Sequence, residues 1–148
     1  MSGRDDAPAP RGAELINAPG LAPAVGFSHA ARAGTIVFLA GQAAQGPDGA
    51  IVGQTVAEQF DVAAKNLVQA LRAAGGAPED LVWLQVFVTD VDAYRRSLGQ
   101  LGDVWRRHFG RRYPAMGLFG VSELFDPAAK VELMGLAALP GAGPAPRA

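Results

Sequence analysis

The fold is decided by residues 55–88, TVAEQFDVAAKNLVQALRAAGGAPEDLVWLQVFV, which predict a helix followed by a buried strand. Thr55 and Glu58 fit a capping box, in which their side chains accept hydrogen bonds from free backbone N–H groups at the start of the helix. Apolar residues then recur at helical spacing until two consecutive glycines end the helix. Residues 81–88 are almost continuously apolar, as in a strand covered on both faces, and Gln85 is their one polar member.

Further strands and a second helix flank this unit. Five more strand segments and one helix are predicted, at residues 25–32, 35–40, 51–52, 115–121 and 130–139 for the strands, and between Asp90 or Asp92 and Gly110 for the helix. The resulting order is β-β-(β)-α-β-α-β-β. Its β-α-β crossovers are expected to be right-handed and to pack each helix on the sheet. The sequence therefore predicts an α+β two-layer sandwich with a mixed sheet and both helices on one face.

The same pattern predicts one domain that associates with copies of itself. Residues 13–139 form the domain, and residues 1–12 and 140–148, rich in Pro, Ala and Gly, are expected to be disordered tails. The predicted strands are too apolar to leave the helix-free face of the sheet in water. We therefore expect that face to be buried between subunits.

Composition narrows the classes of function. The chain has 148 residues, a hydrophobic fraction of 49% and a formal net charge of -1, so nothing in its charge favours nucleic acid or an anionic membrane. Four arginines cluster at 106, 107, 111 and 112, a pattern typical of a solvated helix end. There is no cysteine and the two histidines are far apart, so we expect no metal. No signal peptide or apolar run of about 20 residues is present, which predicts a cytoplasmic protein.

Glu132 is the principal candidate for chemistry. It is the only carboxylate in the apolar run at residues 130–139, and strand alternation places it on one face with Met134, Leu136 and Ala138. Among such neighbours its charged form loses hydration, so its pKa should rise toward neutrality, where a carboxyl group can both give and take a proton. The alternative is an edge position at which Glu132 simply meets solvent.

The chain resembles the Rid family of reactive intermediate deaminases, also called the YjgF family, from about residue 13 to residue 139. No single motif is specific, but the order and spacing of several motifs together carry the resemblance: Gly26-Phe27-Ser28-His29-Ala30, the run GTIVFLAGQ at residues 34–42, Asn66-Leu67, Val86-Phe87-Val88-Thr89-Asp90, Tyr113-Pro114-Ala115 and Lys130-Val131-Glu132-Leu133. The resemblance implies a chorismate-mutase-like fold and a homotrimer with three clefts at the subunit interfaces. Archetypal members hydrolyse 2-imino or 2-enamino acids in these clefts without a cofactor.

The resemblance also assigns site residues and reveals departures from the archetype. The catalytic carboxylate of the family corresponds to Glu132, but the arginine that binds the substrate carboxylate corresponds to Met116. A common tyrosine corresponds to Phe27, and an asparagine falls near Gly102 in a loose alignment. Methionine cannot hydrogen-bond a carboxylate. Arg111 or Arg112 could replace the missing arginine, although both precede the strand.

These departures predict an apolar pocket around one carboxyl group. Glu132 would be catalytic, and the substrate-binding residues would be Phe27, Gly41, Gln42, Met116, Gly117, Leu118 and Met134. The expected activity is hydrolysis of a small neutral imine or enamine without a cofactor. The alternative is a non-catalytic trimer that binds a small metabolite. RNA cleavage is disfavoured by the charge balance. His29 could titrate near the cleft or serve structurally, whereas a structural role is expected for His108.

Overall fold

The computed structural model describes residues 11–141 and contains one six-stranded sheet with helices packed on one face. The elements in chain order are β1 (Glu14–Ile16), β2 (Ala30–Ala33), β3 (Ile36–Ala43), α1 (Val56–Ala73), a 3-10 turn (Pro78–Asp80), β4 (Leu81–Val88), α2 (Val91–Arg96), α3 (Leu98–Phe109), β5 (Ala115–Gly120) and β6 (Val131–Ala138). The strand order across the sheet is β1-β2-β3-β6-β4-β5. Only β4 and β5 pair in parallel, so the predicted mixed α+β sandwich is confirmed.

The helix α1 provides much of the core. Thr55 accepts a hydrogen bond from the Glu58 backbone N–H, and the Glu58 carboxylate accepts one from the Thr55 backbone N–H, which is the predicted capping box. The apolar face of α1, including Phe60, Leu67 and Leu71, is buried against the sheet. Burying each of these side chains contributes about 1.5–3 kcal/mol to the stability of the fold. The contact with α1 therefore keeps one face of the sheet turned toward the helices.

Burial alternates along the central strand β6. The side chains of Val131, Leu133 and Ala137 are fully buried toward the helices. The intervening residues point to the other face, which no helix covers and which we call the open face. The predicted grouping of Glu132 with Met134, Leu136 and Ala138 therefore agrees with the burial pattern of the strand.

Two buried amides fix the strands near the site. The Gln59 side chain donates to the carbonyls of Gly53 (3.2 Å) and Ala128 (3.0 Å) and accepts from the Lys130 N–H (2.7 Å). Asn66 donates to the carbonyls of residues 43 and 45 at 3.2 and 2.8 Å. Both side chains extend from α1, so the helix holds the start of β6 and the end of β3 in place.

Several element predictions were wrong in detail. The first predicted strand begins only at Ala30, and the brief strand at 51–52 is a single bridge between Gln45 and Ile51. The three-residue strand β1 was missed because it is too short to show alternation. The second helix is divided at Ser97, whose hydroxyl donates to the Ala93 carbonyl (2.8 Å) and ends α2.

The remaining predictions concern the ends of the domain. All helices and strands among the described residues lie between Glu14 and Ala138. The predicted tails at residues 1–12 and 140–148 lie largely outside the described residues.

Candidate functional site

Glu132 lies on the open face of the sheet, where its side chain is half-buried. Its carboxyl group packs directly over the backbone of Gly41: a Cβ added at Gly41 would lie 2.5 Å from Glu132 Oε1. Position 41 must therefore be glycine for the carboxyl group to occupy this place. Burial raises the pKa of the Glu132 carboxyl above its ordinary value, and no opposing charge lowers it.

The raised pKa predicts how stability should depend on pH. The protonated carboxyl is favoured in the folded state, so its contribution is fully present below the unfolded pKa of about 4.5 and is lost as pH rises through the higher folded pKa. Glu132→Gln keeps a neutral group at every pH. We expect the variant to match the wild type in thermal unfolding below pH 4.5 and to be the more stable protein at pH 7–8. A variant that is less stable at pH 8 would show that the carboxylate is stabilised in the fold.

The pairing of β6, β4 and β5 determines the neighbours of Glu132. Glu132 is opposite Phe87 on β4, and Phe87 is opposite Phe119 on β5. The two phenylalanine rings stack with their centroids 5.7 Å apart. The next row along the sheet consists of Met134, Gln85 and Gly117. The carboxyl group therefore lies among apolar side chains with one amide nearby.

A broad apolar hollow continues along the open face from Met134. Its volume is about 550 Å³, and its lining includes Leu15, Phe27, Phe38, Trp83, Met134 and Leu136. Of the predicted binding residues it contains Phe27 and Met134. Glu132 is not part of its lining, but it is two residues from Met134 on the same face of β6. Another hollow of about 470 Å³ is lined by Arg96 and Lys130 and contains none of the predicted site residues.

Within one chain, Met116 and Leu118 lie on the opposite face of the sheet from Glu132. Met116 is opposite Leu84 and Leu118 is opposite Val86, and both β4 partners are fully buried toward the helices. Paired residues in neighbouring strands point to the same face. Within one chain, Met116 and Leu118 therefore lie on the helix side at the sheet edge, whereas Gly117 is on the open face with Gln85. Within one chain Met116 and Met134 are therefore on opposite faces of the sheet, and the placement of Met116 beside Met134 and Phe27 in a cleft between subunits stays a prediction.

Gln42 also departs from simple alternation. Leu39 is opposite Gly135 but Gln42 is opposite Leu133, so β3 contains one extra residue at this point. The bulge turns the Gln42 side chain toward the helices, where it is 6% exposed. Glu132 lies over the backbone of Gly41 and opposite Ala43, and the Gln42 side chain is not part of the open face.

The arginine cluster does not replace the missing guanidinium within the chain. Arg111 and Arg112 are exposed in the connection between α3 and β5, and the Arg112 backbone carbonyl accepts a hydrogen bond from Trp105 Nε1 (3.1 Å). Arg106 pairs with Asp103, and Arg107 lies 3.7 Å from Asp61. The cluster is therefore a partly neutralised surface on the helix layer.

Both histidines have structural partners. His29 is buried, its Nδ1 accepts from the Ala18 N–H and its Nε2 donates to the Ala22 carbonyl, each at 3.0 Å. These bonds hold the segment that carries Phe27, whose ring meets the His29 ring edge-on at 6.1 Å. His108 Nε2 lies 2.6 Å from Asp61 and joins α3 to α1. The sequence analysis missed these partners because they are distant along the chain.

Neither a metal centre nor a membrane span emerges from residues 11–141. No three His, Cys, Asp or Glu side chains in this part of the chain are grouped as metal ligands. None of its helices combines the length and the hydropathy needed to cross a bilayer.

The fold and the site define a class of two-layer α+β proteins with an acidic side chain on an otherwise apolar sheet face. The profile of the Endoribonuclease L-PSP family matches residues 16–139, and the chain belongs to this family, also known as YjgF/Rid. The predicted family is thereby confirmed.

Curated relatives support the assignment. The mitochondrial protein mmf2 of Schizosaccharomyces pombe is 37% identical over 79 residues, which are 53% of this chain and 62% of that protein, less than two thirds of its length. A RutC family protein of Pyrococcus horikoshii is 30% identical over 99 residues, covering 66% of this chain and 75% of that protein.

Solved structures show the same fold. The Rid-family protein YyfA of Yersinia pestis is 26% identical with a TM-score of 0.76, covering 86% of this chain and 99% of that one. RidA from an Antarctic Psychrobacter species is 24% identical with a TM-score of 0.74, covering 85% and 99% of the two chains.

Proposed function

We propose that this chain forms a homotrimer that hydrolyses a small neutral imine or enamine in clefts between subunits, with Glu132 as the acid–base group and without a cofactor. The observation that carries the proposal is the half-buried Glu132 carboxyl on an apolar face, with a raised pKa and with Gly41 shaped to receive it. A carboxyl poised in this way can exchange a proton with water and substrate. Action in the cytoplasm remains a prediction.

Glu132 can perform two of the four proton transfers in the hydrolysis, and solvent performs the other two. The Glu132 carboxylate accepts a proton from water as the water oxygen bonds to the C=N carbon, and the nitrogen takes up a proton from solvent. In the amino alcohol that results, Glu132 returns its proton to the nitrogen. The C–N bond breaks, ammonia leaves, and the hydroxyl loses its proton to solvent as the carbonyl forms. An enamine would first be protonated at carbon to give the imine.

The preference for a neutral substrate follows from the missing cation. Met116 has no charge and lies on the helix side of β5 within the chain. Each charge-assisted hydrogen bond of an arginine fork is worth about 1.5–3 kcal/mol, so a 2-imino acid would lose two such bonds here. The apolar neighbours of Glu132 on the open face, Phe87 and Met134, instead suit an uncharged group.

The apolar side chains exposed on the open face support the proposal of a trimer. Phe38 and Leu136 lie in one row of paired residues with Trp83, and all three line the hollow. Phe38 is 51% exposed in the single chain. An apolar surface of this kind normally contacts a partner.

A comparison of two substrates tests the proposed activity. Benzaldimine, generated from benzylamine by an amine oxidase, is the neutral imine, and the imino acid generated from leucine by an amino acid oxidase is the anionic one. We expect release of ammonia from benzaldimine to be accelerated at least about 100-fold over buffer, as expected for acid–base catalysis. The imino acid should be accelerated far less. Preferential hydrolysis of the imino acid would contradict the neutral-substrate proposal.

The second candidate function is a trimer that binds a small metabolite without chemistry. The loss of the arginine and the apolar neighbours of Glu132 favour it. Stabilisation of the protein by a ligand that is recovered unchanged, together with no acceleration of either imine, would support this function instead.

A further inference from the structure

Gln85 is a polar residue at the centre of the open face. It lies in the middle of β4, with Met134 opposite on β6 and Gly117 opposite on β5. The flanking open-face residues of β4 are Trp83 and Phe87, and the side chain of Gln85 is only half-buried. A glutamine here gains little from folding, because an apolar side chain would fit the strand and its neighbours better.

The amide of Gln85 differs from the other strand-contacting amides of the chain. Gln59 and Asn66 each bond to two backbone carbonyls and so have a structural role. Among residues 11–141, no side-chain polar atom is fully buried without a partner, and the Gln85 amide forms no hydrogen bond with this part of the chain, so it lies partly exposed on the open face. Its two N–H donors and its carbonyl oxygen can therefore pair with a ligand held in a cleft between subunits.

The surroundings of Gln85 form a flat aromatic wall. The Phe119 ring leans back over Gly117, where an added Cβ would lie 2.8 Å from two ring carbons. The same ring stacks on Phe87 with centroids 5.7 Å apart. An aromatic surface therefore lies along the β5 side of the amide, and a planar molecule could stack on it.

Glu132 stands diagonally across from Gln85. Glu132 is opposite Phe87, two residues beyond Gln85 on β4, and both side chains are on the same face. Diagonal neighbours of this kind are separated by about 7–8 Å, within reach of two long side chains. A small molecule bound on this face could therefore contact both the amide and the carboxyl group.

We propose that Gln85 is a specificity-determining residue that binds the carboxamide-like end of a planar, uncharged ligand whose other end meets Glu132. The amide of Gln85 donates to the ligand carbonyl and accepts from the ligand N–H, and Phe119 stacks on its plane. The inference rests on the proposed function only in placing the ligand beside Glu132, and it holds for binding with or without hydrolysis.

Two probes of similar shape test this role. Benzamide carries the carboxamide, and isopropylbenzene replaces it with an apolar group of similar size. The affinities of wild type, Gln85→Leu and Gln85→Met for each probe are measured by titration with ligand-observed NMR. The control variant is Gln100→Leu, because Gln100 is exposed on α3 and away from the open face. We expect wild type and Gln100→Leu to bind benzamide alike. Both Gln85 variants should bind benzamide at least about tenfold more weakly than wild type, because they lose about 1.4 kcal/mol of hydrogen bonding. They should bind isopropylbenzene at least as tightly as wild type does.

The outcomes separate this inference from the proposed hydrolase. Unchanged benzamide affinity in both Gln85 variants, parallel loss of both probes, or no binding of benzamide to wild type would each overturn it. If no imine is hydrolysed but benzamide binding depends on Gln85, the hydrolase fails and this inference stands. If benzaldimine is hydrolysed with equal rates in wild type and the Gln85 variants, and benzamide affinity is unchanged, only this inference fails.

Discussion

Replacement of Glu132 by glutamine is expected to reduce turnover of a neutral imine by about 100-fold or more, because general acid–base catalysis by a positioned side chain contributes about 10²–10⁴-fold. Glutamine has nearly the same shape as glutamate and should fit over Gly41, but it cannot accept a proton from water. The measurement is the initial rate of ammonia release from benzaldimine with purified protein. Affinity for benzamide should change little, so the loss should appear in kcat more than in KM.

The matched control for this variant is Glu79→Gln. Glu79 is exposed in the 3-10 turn before β4 and away from the open face. Its replacement removes the same charge from the chain without touching the site, so turnover should be unchanged. If Glu132→Gln retains wild-type turnover, Glu132 is not the acid–base group and the proposed mechanism is wrong.

Replacement of Phe38 by aspartate is expected to convert the assembled protein into monomers. Phe38 is opposite Ala31 on β2 and Leu136 on β6, in the middle of the open face. In a trimer that buries this face, an unpaired aspartate would lose its hydration, at a cost of several kcal/mol for each buried charge. The mass should fall from three times the chain mass to the 15.3 kDa of one chain, as measured by light scattering during gel filtration.

Leu98→Asp is the control for the assembly. Leu98 is 59% exposed, close to the exposure of Phe38, but it begins α3 on the helix layer. An acidic residue in the first turn of a helix is favourable, so the variant should remain folded and assembled. A wild-type protein that is monomeric at micromolar concentration, or a Phe38→Asp variant that remains trimeric, would show that the open face is not the interface.

The nature and the faces of individual elements could be predicted from local sequence. The capping box at Thr55 and Glu58 formed as expected, because its partners are three residues apart. The alternation that grouped Glu132 with Met134 depends only on the period of a strand. The family could also be predicted, because its motifs occur in the right order along nearly the whole domain.

Contacts between strands could not be predicted in the same way. Alternation correctly grouped Met116 with Leu118, but it does not say which face of the sheet the pair shares with Glu132. That choice depends on the register of β5 against β4, where Met116 pairs with the buried Leu84. The same limit applies to Gln42, because one extra residue in β3 reverses its direction.

The sequence by itself determined which segments form helices and strands, which residues alternate together, and that a carboxylate stands among apolar neighbours on β6. These properties arise from interactions within a few residues along the chain. Only the tertiary structure decided that Gly41 receives the Glu132 carboxyl group, that Gln85 and the two stacked phenylalanines lie beside it, and that Met116 is on the other face. Those relations depend on strand register and on one bulge, which are set by pairing between residues far apart in sequence and by packing of the sheet on α1.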